Sequence, residues 1–362
     1  MMFETVYKNL ATRLDALPHG FPPTDDGAEL RLLAKIFSPE EAELAAQLRL
    51  TLETPAQIAA RIGGDRKGLR KQLKTMARKG LIEAGRTDDG LGYGLMPFVV
   101  GIYEMQIARL DAEMAELFED YYHQAFGEMI GVRPAFQRVI PVNETIQSGV
   151  DVRPFESAAE IVAGAKAWGV LDCICRKQKA LIGDPCDHPV DVCMILSKRP
   201  GAFDNNSVIQ ALNEEQALAT LQRAADAGLV HSVSNVQEDI HYICNCCTCS
   251  CGILRGMADM GIANVVARSA FVNHVEEDLC IGCESCLDAC QFGALSMNED
   301  EMLVEVKAVS CVGCGVCVPV CPEGALSLVR RPEEEILETP RAKQDWITAR
   351  AADRGLDLGP LL

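Results

Sequence analysis

The sequence is poor in aromatic residues, at 5% of the chain, and holds only two tryptophans and six histidines in 362 residues. No G-x-G-x-x-G follows a predicted strand; Gly90, Gly92 and Gly94 fall in a predicted hairpin instead. Neither a Walker A loop nor H-E-x-x-H occurs, so no motif for flavin, nicotinamide, nucleotide phosphates or a peptidase zinc is present. Basic residues are outnumbered, 34 Lys and Arg against 52 Asp and Glu, for a formal net charge of −18. That balance argues against a chain built mainly to coat nucleic acid or an anionic membrane, and suits one that docks on basic patches of its partners. No apolar run approaches the roughly 20 residues of a membrane span. The start, Met1-Met2-Phe3-Glu4-Thr5-Val6-Tyr7-Lys8, lacks an apolar h-region and a cleavage site.

Cysteine is what the chain has in excess: 17 residues. A leaderless, cysteine-rich chain reads as a metal or redox protein of a reducing compartment rather than a disulfide scaffold, and the expected location is the cytoplasm. The densest pattern, C-x-x-C-x-x-C-x-x-x-C, occurs twice: Cys280, Cys283, Cys286 and Cys290, then Cys311, Cys314, Cys317 and Cys321, with Pro322 following. Each run of three can wrap one corner of an iron–sulfur cube. Zinc is the competing metal, but its sites usually use paired C-x-x-C knuckles rather than triplets.

These residues, from about Val272 to Val329, resemble the bacterial two-[4Fe-4S] ferredoxin module. Both halves end alike, Cys290-Gln291-Phe292-Gly293-Ala294-Leu295 and Cys321-Pro322-Glu323-Gly324-Ala325-Leu326. Gln291 stands where the family usually has proline. The resemblance implies a pseudo-twofold fold of short strands and helical turns around two [4Fe-4S] clusters. It also implies crossed ligation, the fourth ligand of each cluster coming from the other run: Cys280, Cys283, Cys286 and Cys321 for one, Cys311, Cys314, Cys317 and Cys290 for the other. Small residues near the ligands (Gly282, Ser285, Gly313, Gly315) allow backbone N–H groups to approach sulfur, or simply form tight turns.

Nine further thiols lie from Cys173 to Cys251, five of them in the eight residues that begin at Cys244. Such density points to metal or cluster ligation, because crowded thiolates repel unless a cation neutralises them. Cys173, Cys175, Cys186 and Cys193 form the first candidate set, with Cys244, Cys246 and Cys247 next. Equally, Cys175 or Cys193 can share a site with Cys246 or Cys247. All-sulfur ligation suits a further iron–sulfur cluster, with zinc as the alternative. The Cys246-Cys247 dipeptide resembles the doubled cysteines of non-cubane cluster proteins in heterodisulfide-reductase-like enzymes. His188 and His241 are nearby candidate ligands. Arg176, Lys177 and Lys179 either lower a thiol pKa or lie on a solvated face.

The remaining chain organises as an α+β multidomain protein. Residues 1–27 read as a leader broken by Pro18, Gly20, Pro22, Pro23 and Gly27. Residues 28–100 read as a winged helix-turn-helix-like domain: a helix from Leu30 to Leu52, a second opened by a Thr54-Pro55-Ala56-Gln57 capping box, a third capped by Asp65, and strands Leu81–Ala84 and Leu91–Met96 around an Asp89-Gly90 turn. The third helix carries Arg66, Lys67, Arg70, Lys71, Lys74, Arg78 and Lys79, a face for an acidic protein partner, for DNA or for solvent. Residues 101–141 read as a linking helix with Ile107, Leu110, Met114, Leu117 and Tyr121 at 3-4-3-4 spacing, packed on the preceding domain or forming a homodimer seam. Residues 142–270 read as a cysteine-rich α/β middle domain, 271–330 as the ferredoxin-like domain, and 331–362 as a tail anchored by Trp346.

Three functions follow: an electron-transfer subunit or redox partner of a larger anaerobic-type oxidoreductase, a reductase with a catalytic middle-domain cluster, and a redox-sensing winged-helix transcription regulator. The first leads, because a ferredoxin module without flavin or nicotinamide usually passes electrons to another protein.

Overall fold

The computed structural model describes residues 2–142, 145–262 and 265–362. The chain forms two compact units, Met1–Arg133 with Leu181–Gly183 and Ile347–Leu362, and Pro134–Ala180 with Asp184–Trp346.

The first unit opens with α1 (Met2–Asp15), whose Tyr7, Leu10 and Leu14 are buried against α2 (Ala28–Ile36) and α3 (Pro39–Ala45). The stretch read as a leader is therefore a core element; its prolines and glycines come after the helix, where Leu17 and Phe21 are still buried. The single helix expected from Leu30 to Leu52 is split at Phe37-Ser38. Ser38 caps a new helix with Glu41 answering it and Pro39 in the first turn, and these local bonds outcompete helix continuation. Helix α4 (Pro55–Ile62) opens on the Thr54–Gln57 capping box, and α5 (Arg66–Arg78) on Asp65, which accepts from the N–H groups of Lys67 and Gly68.

Strands β1 (Glu83–Thr87) and β2 (Gly90–Gly94) pair with Thr87 opposite Gly90, so the turn is Asp88-Asp89, one residue earlier than expected. Gly92 has a packing reason: a Cβ there would stand 2.7 Å from Thr87 Cγ2 and 3.0 Å from Leu52 Cβ.

No continuous helix runs from 101 to 130. Val99, Val100 and Gly101 leave helical geometry, Glu104–Arg109 is a 3-10 turn, and α6 (Ala112–Tyr121) restarts where Asp111 accepts from Met114 N–H. A π-turn at Tyr122–Phe126 leads into α7 (Gly127–Ile130). Ile107, Met114 and Tyr121 of this stretch are buried inside the unit. Tyr103 stacks on Phe118 at 3.9 Å, and Phe21 meets Phe98 at 4.5 Å and Tyr121 at 4.7 Å, so this unit holds an aromatic cluster.

The second unit is built on a six-stranded sheet with order β3-β7-β8-β5-β4-β6, every neighbouring pair antiparallel. The strands are β3 (Gln137–Val139), β4 (Ala167–Leu171), β5 (Cys193–Ser197), β6 (Gln210–Leu212), β7 (Val230–Ser234) and β8 (Tyr242–Cys246). Helix α8 (Ala158–Ala163) and helix α10 (Glu214–Asp226) contribute Val162 and Ala217 to a core with Met194, Leu196, Val233 and Ile243. Asn213 and Gln216 form the capping box that starts α10; its buried face is Ala217, Thr220 and Ala224, whereas Leu218 is 39% exposed. Helix α9 (Ile174–Leu181) follows β4 directly, and α11 (Gly256–Asp259) is one short turn.

From Phe271 the unit continues as two small antiparallel pairs, β9 (Phe271–Val275) with β12 (Leu326–Arg330) and the hairpin of β10 (Leu295–Asn298) with β11 (Leu303–Val306), and α12 (Ser285–Ala289). Helix α13 (Lys343–Asp353) carries Trp346, whose indole donates to Ala135 O at 2.9 Å beside Phe136.

Further along α13, in the first unit, Arg350 is fully buried. It donates to Pro18 O at 2.9 Å and Val132 O at 2.7 Å, and also to Met129 O. Removing it takes a charged donor away from three carbonyls, of which Met129 O keeps only a long bond from Val132 N–H at 3.4 Å. Arg350→Leu is expected to cost about 3 kcal/mol, read as faster hydrogen exchange around residues 129–133; unchanged protection would show that water replaces the guanidinium.

Candidate metal centres

The sheet register collects the middle cysteines. In an antiparallel sheet the end of one strand lies beside the start of its neighbour, so the ends of β4 and β8 and the start of β5 share one rim. Leu171 faces Cys193, and Met194 faces Ile243, which brings Cys193 level with Cys244. Cys173 follows β4, its N–H tied to Val190 O at 2.8 Å, and Cys175 sits in the first turn of α9. Six thiols result in series. Cys193 and Cys175 each hydrogen-bond Cys173, Cys175 meets Cys251, Cys251 meets Cys246, and Cys246 meets Cys244. Hydrogen bonds from Cys175 and Cys193 hold Cys173 well below the usual thiol range, and those two thiols are pushed up in return. The crowding stores charge on one sulfur, the condition in which a bound cation is favoured.

Arg176 stands beside this series. Its side chain is buried and fixed by two carbonyls, Nη1 on Pro189 O at 2.9 Å and Nη2 on Asn245 O at 2.7 Å, and it hydrogen-bonds Cys247. Burial disfavours the charge, yet Cys173 and Cys247 outweigh it and the guanidinium pKa rises. Lys177 and Lys179 instead pair with Asp172 and Asp184, both at 2.6 Å. Of the three basic residues near the thiols, Arg176 is the one directed at them.

Cys186 does not join Cys173, Cys175 and Cys193 as expected. It lies in the loop before β5 and gathers with His188, Cys247 and Cys249, all four donor atoms being within 4.8 Å of one another. The reason is the direction of successive side chains. Cys246 ends β8 and turns to the six-thiol series, while Cys247 starts the following turn and faces the other way. The dipeptide that resembles a doubled-cysteine motif therefore feeds two different groups. His241 is exposed at the start of β8 and lies outside the four-donor group. Cys249 and Cys251 were not among the expected ligands; their signal in the sequence is the every-second-residue spacing that continues from Cys247.

In the C-terminal segment Cys280, Cys283, Cys286 and Cys321 line one cavity with Ile281, Val304 and Leu326. Cys290 neighbours Cys311, Cys314 and Cys317. Burial pushes Cys314 up to about 12. Donors to sulfur are in place: Asn273 Nδ2 to Cys317 at 2.8 Å, and, in matching positions of the two halves, Ala294 N–H to Cys290 and Ala325 N–H to Cys321, both at 3.3 Å. Four thiols per group, apolar walls and N–H donors fit iron–sulfur ligation. Gly313 (φ +67°) is required for packing, because a Cβ would lie 2.2 Å from Phe271 O.

Residues 273–328 match the family model of 4Fe-4S dicluster domains. The match supports a ferredoxin-type iron–sulfur module in this segment. No curated protein and no solved structure matches the chain. The module does not hang free of the sheet. Gln291, the residue after Cys290, accepts from Thr248 N–H at 2.8 Å and donates to Gly228 O at 2.5 Å. A proline there would supply neither bond, so the departure from the family pattern is an attachment point. A cleft of about 500 Å³ runs along this junction, lined by His188, Cys247 and Cys249 on one side and by Ala289, Gln291 and Val320 on the other.

Two outcomes follow. Gln291→Ala is expected to lose about 1–3 kcal/mol of local stability, seen as faster hydrogen exchange at Thr248 with iron content unchanged; equal protection in both proteins would remove the attachment role. The second concerns His231, buried on β7 opposite Asn245, with Nδ1 at 2.5 Å from Asn245 Oδ1 and burial pulling its pKa from 6.5 to about 4. The fold holds the neutral ring. Its contribution is complete above the unfolded value of 6.5 and is lost as pH falls towards 4, a difference of roughly 3 kcal/mol. His231→Gln is expected to flatten the stability profile across that window relative to the parent, by chemical denaturation at several pH values.

Proposed function

We propose that the protein is an electron-transfer component of a larger anaerobic-type oxidoreductase, cytoplasmic, working as a subunit or a docking partner. The observation that carries this is the attachment of the ferredoxin module, through Gln291, to a domain with its own crowded thiols. In this reading Cys280, Cys283, Cys286 and Cys321 hold one [4Fe-4S] cluster, and Cys311, Cys314, Cys317 and Cys290 the other. Four of the six thiols Cys173, Cys175, Cys193, Cys244, Cys246 and Cys251 hold a further iron–sulfur cluster. Bound clusters supply one-electron chemistry. The chain's own contribution is to space the thiolates, aim N–H donors at sulfur, and set Arg176 against the negative charge of the middle site.

The N-terminal α4, α5 and β1–β2 follow the order of a winged helix-turn-helix, and Arg66, Lys67, Arg70 and Lys71 on α5 are exposed. A local acidic patch on a partner protein suits this basic face better than DNA, whose continuous phosphate charge the chain's overall −18 opposes. Neutralising these four is expected to weaken a protein complex at least tenfold without changing iron content. Tight, sequence-selective DNA binding at physiological salt, abolished in the same variant, would instead make the protein a redox-sensing regulator. A middle cluster that turns over a substrate, found by redox titration with candidate substrates, would make it a reductase.

The ligand assignment is tested by EPR of the reduced protein with anaerobic iron and sulfide analysis. Cys321→Ala is expected to damage the cluster of Cys280, Cys283 and Cys286, remote from it in sequence. Loss of the cluster of Cys311, Cys314 and Cys317 instead would reject the crossed pairing.

A further inference from the structure

The four donors Cys186, His188, Cys247 and Cys249 differ in kind from every other thiol group in the chain. Among the described residues they are the one set of three or more Cys, His, Asp or Glu donors in which all atoms lie within 4.8 Å of one another. The ferredoxin thiols are not drawn together this tightly. The difference has a chemical basis. A cube binds each cysteine to a different iron and so spreads its ligands, whereas one ion pulls all its ligands onto a single point. With Zn–S about 2.3 Å and Zn–N about 2.0–2.1 Å, tetrahedral zinc sets S···S at about 3.8 Å and S···N at about 3.6 Å. Cys249 Sγ stands 3.8 Å from His188 Nδ1, and Cys186 is within hydrogen-bond reach of both Cys247 and Cys249.

The surroundings complete the arrangement. Ser250, almost fully buried, donates to Cys186 Sγ at 3.3 Å and reaches Cys249 Sγ at 3.9 Å, fixing two of the three thiols from behind. Arg176 reaches the third, Cys247, and offsets the negative charge that three thiolates leave on a divalent ion. The donors come from two loops, Cys186-x-His188 before β5 and Cys247-x-Cys249 after β8, 61 residues apart at the His188–Cys249 contact.

We propose that Cys186, His188, Cys247 and Cys249 bind one zinc ion in a closed Cys3His shell, separate from the iron–sulfur sites. Three thiolates and an imidazole suit zinc, and four protein ligands leave no open position, the pattern of a structural site. Its task follows from what lies between two of the ligands. Thr248, flanked by Cys247 and Cys249, is the residue whose N–H holds Gln291 of the ferredoxin module. The ion pins the loop on which that module is seated.

The test uses the full-length protein, expressed with both iron and zinc supplied and purified without oxygen. Metal analysis is expected to give one zinc per chain, and zinc-edge X-ray absorption three sulfurs at about 2.3 Å with one nitrogen at about 2.0–2.1 Å. The double variant H188A/C249S is expected to lose that zinc, from one equivalent to essentially none, while iron and acid-labile sulfide stay at the parent level. A zinc-free parent, a first shell of oxygen and nitrogen, or a double variant that loses iron and sulfide would each overturn the proposal. If the variant is insoluble, the absorption spectrum of the parent decides alone. These readouts follow zinc rather than electron transfer, so they succeed or fail independently of the proposed redox role.

Discussion

Sulfur atoms packed edge to edge must share protons or share cations, and the second unit is arranged around that requirement. Protons alone give an uneven answer: in the six-thiol series Cys173 is strongly acidic while its neighbours Cys175 and Cys193 are forced the other way. A metal removes the conflict because every sulfur can then be a thiolate. The antiparallel register that stacks the ends of β4 and β8 on the start of β5 creates the crowding, and Arg176, clamped by Pro189 and Asn245, is a buried side-chain cation beside it.

The same rim accounts for the seating of the ferredoxin module. The turn that leaves β8 carries ligand candidates at Cys247 and Cys249 and a backbone donor at Thr248 between them. Metal chemistry and module attachment are thus properties of one short turn. His231 and Asn245 lie directly beneath it on β7 and β8, a neutral, hydrogen-bonded pair where a charged ring would have to be desolvated.

How much of this was legible in the sequence depended on whether the signal was local. The ferredoxin repeat is local, and its match at 273–328 falls where the cysteine spacing placed it. The capping box at Thr54 is local too, and its helix begins where it indicates. Partition of the middle thiols is not local. It is decided by strand register and by the turn that sends Cys246 and Cys247 apart, so the spacing alone did not show that Cys186 lies beside Cys247 and Cys249, or single out Cys249 and Cys251. The expected continuous helix after Gly101 failed for another reason. Its apolar spacing was real, but Asp111 offered a cap in mid-run, and the buried positions serve a cluster of aromatics rather than one stripe. Residues 2–15 were misjudged because the breakers that follow them drew attention from the helix they terminate.

Gln291 has a kinetic meaning as well as a structural one. A small ferredoxin that diffuses must meet its partner anew for each electron, at a rate proportional to both concentrations. A module fastened through a side chain to the neighbouring domain meets that domain at a fixed effective concentration, whatever the dilution. If electrons pass between the two in the proposed way, the internal step is first order and indifferent to ionic strength, and salt acts only where the chain meets another protein.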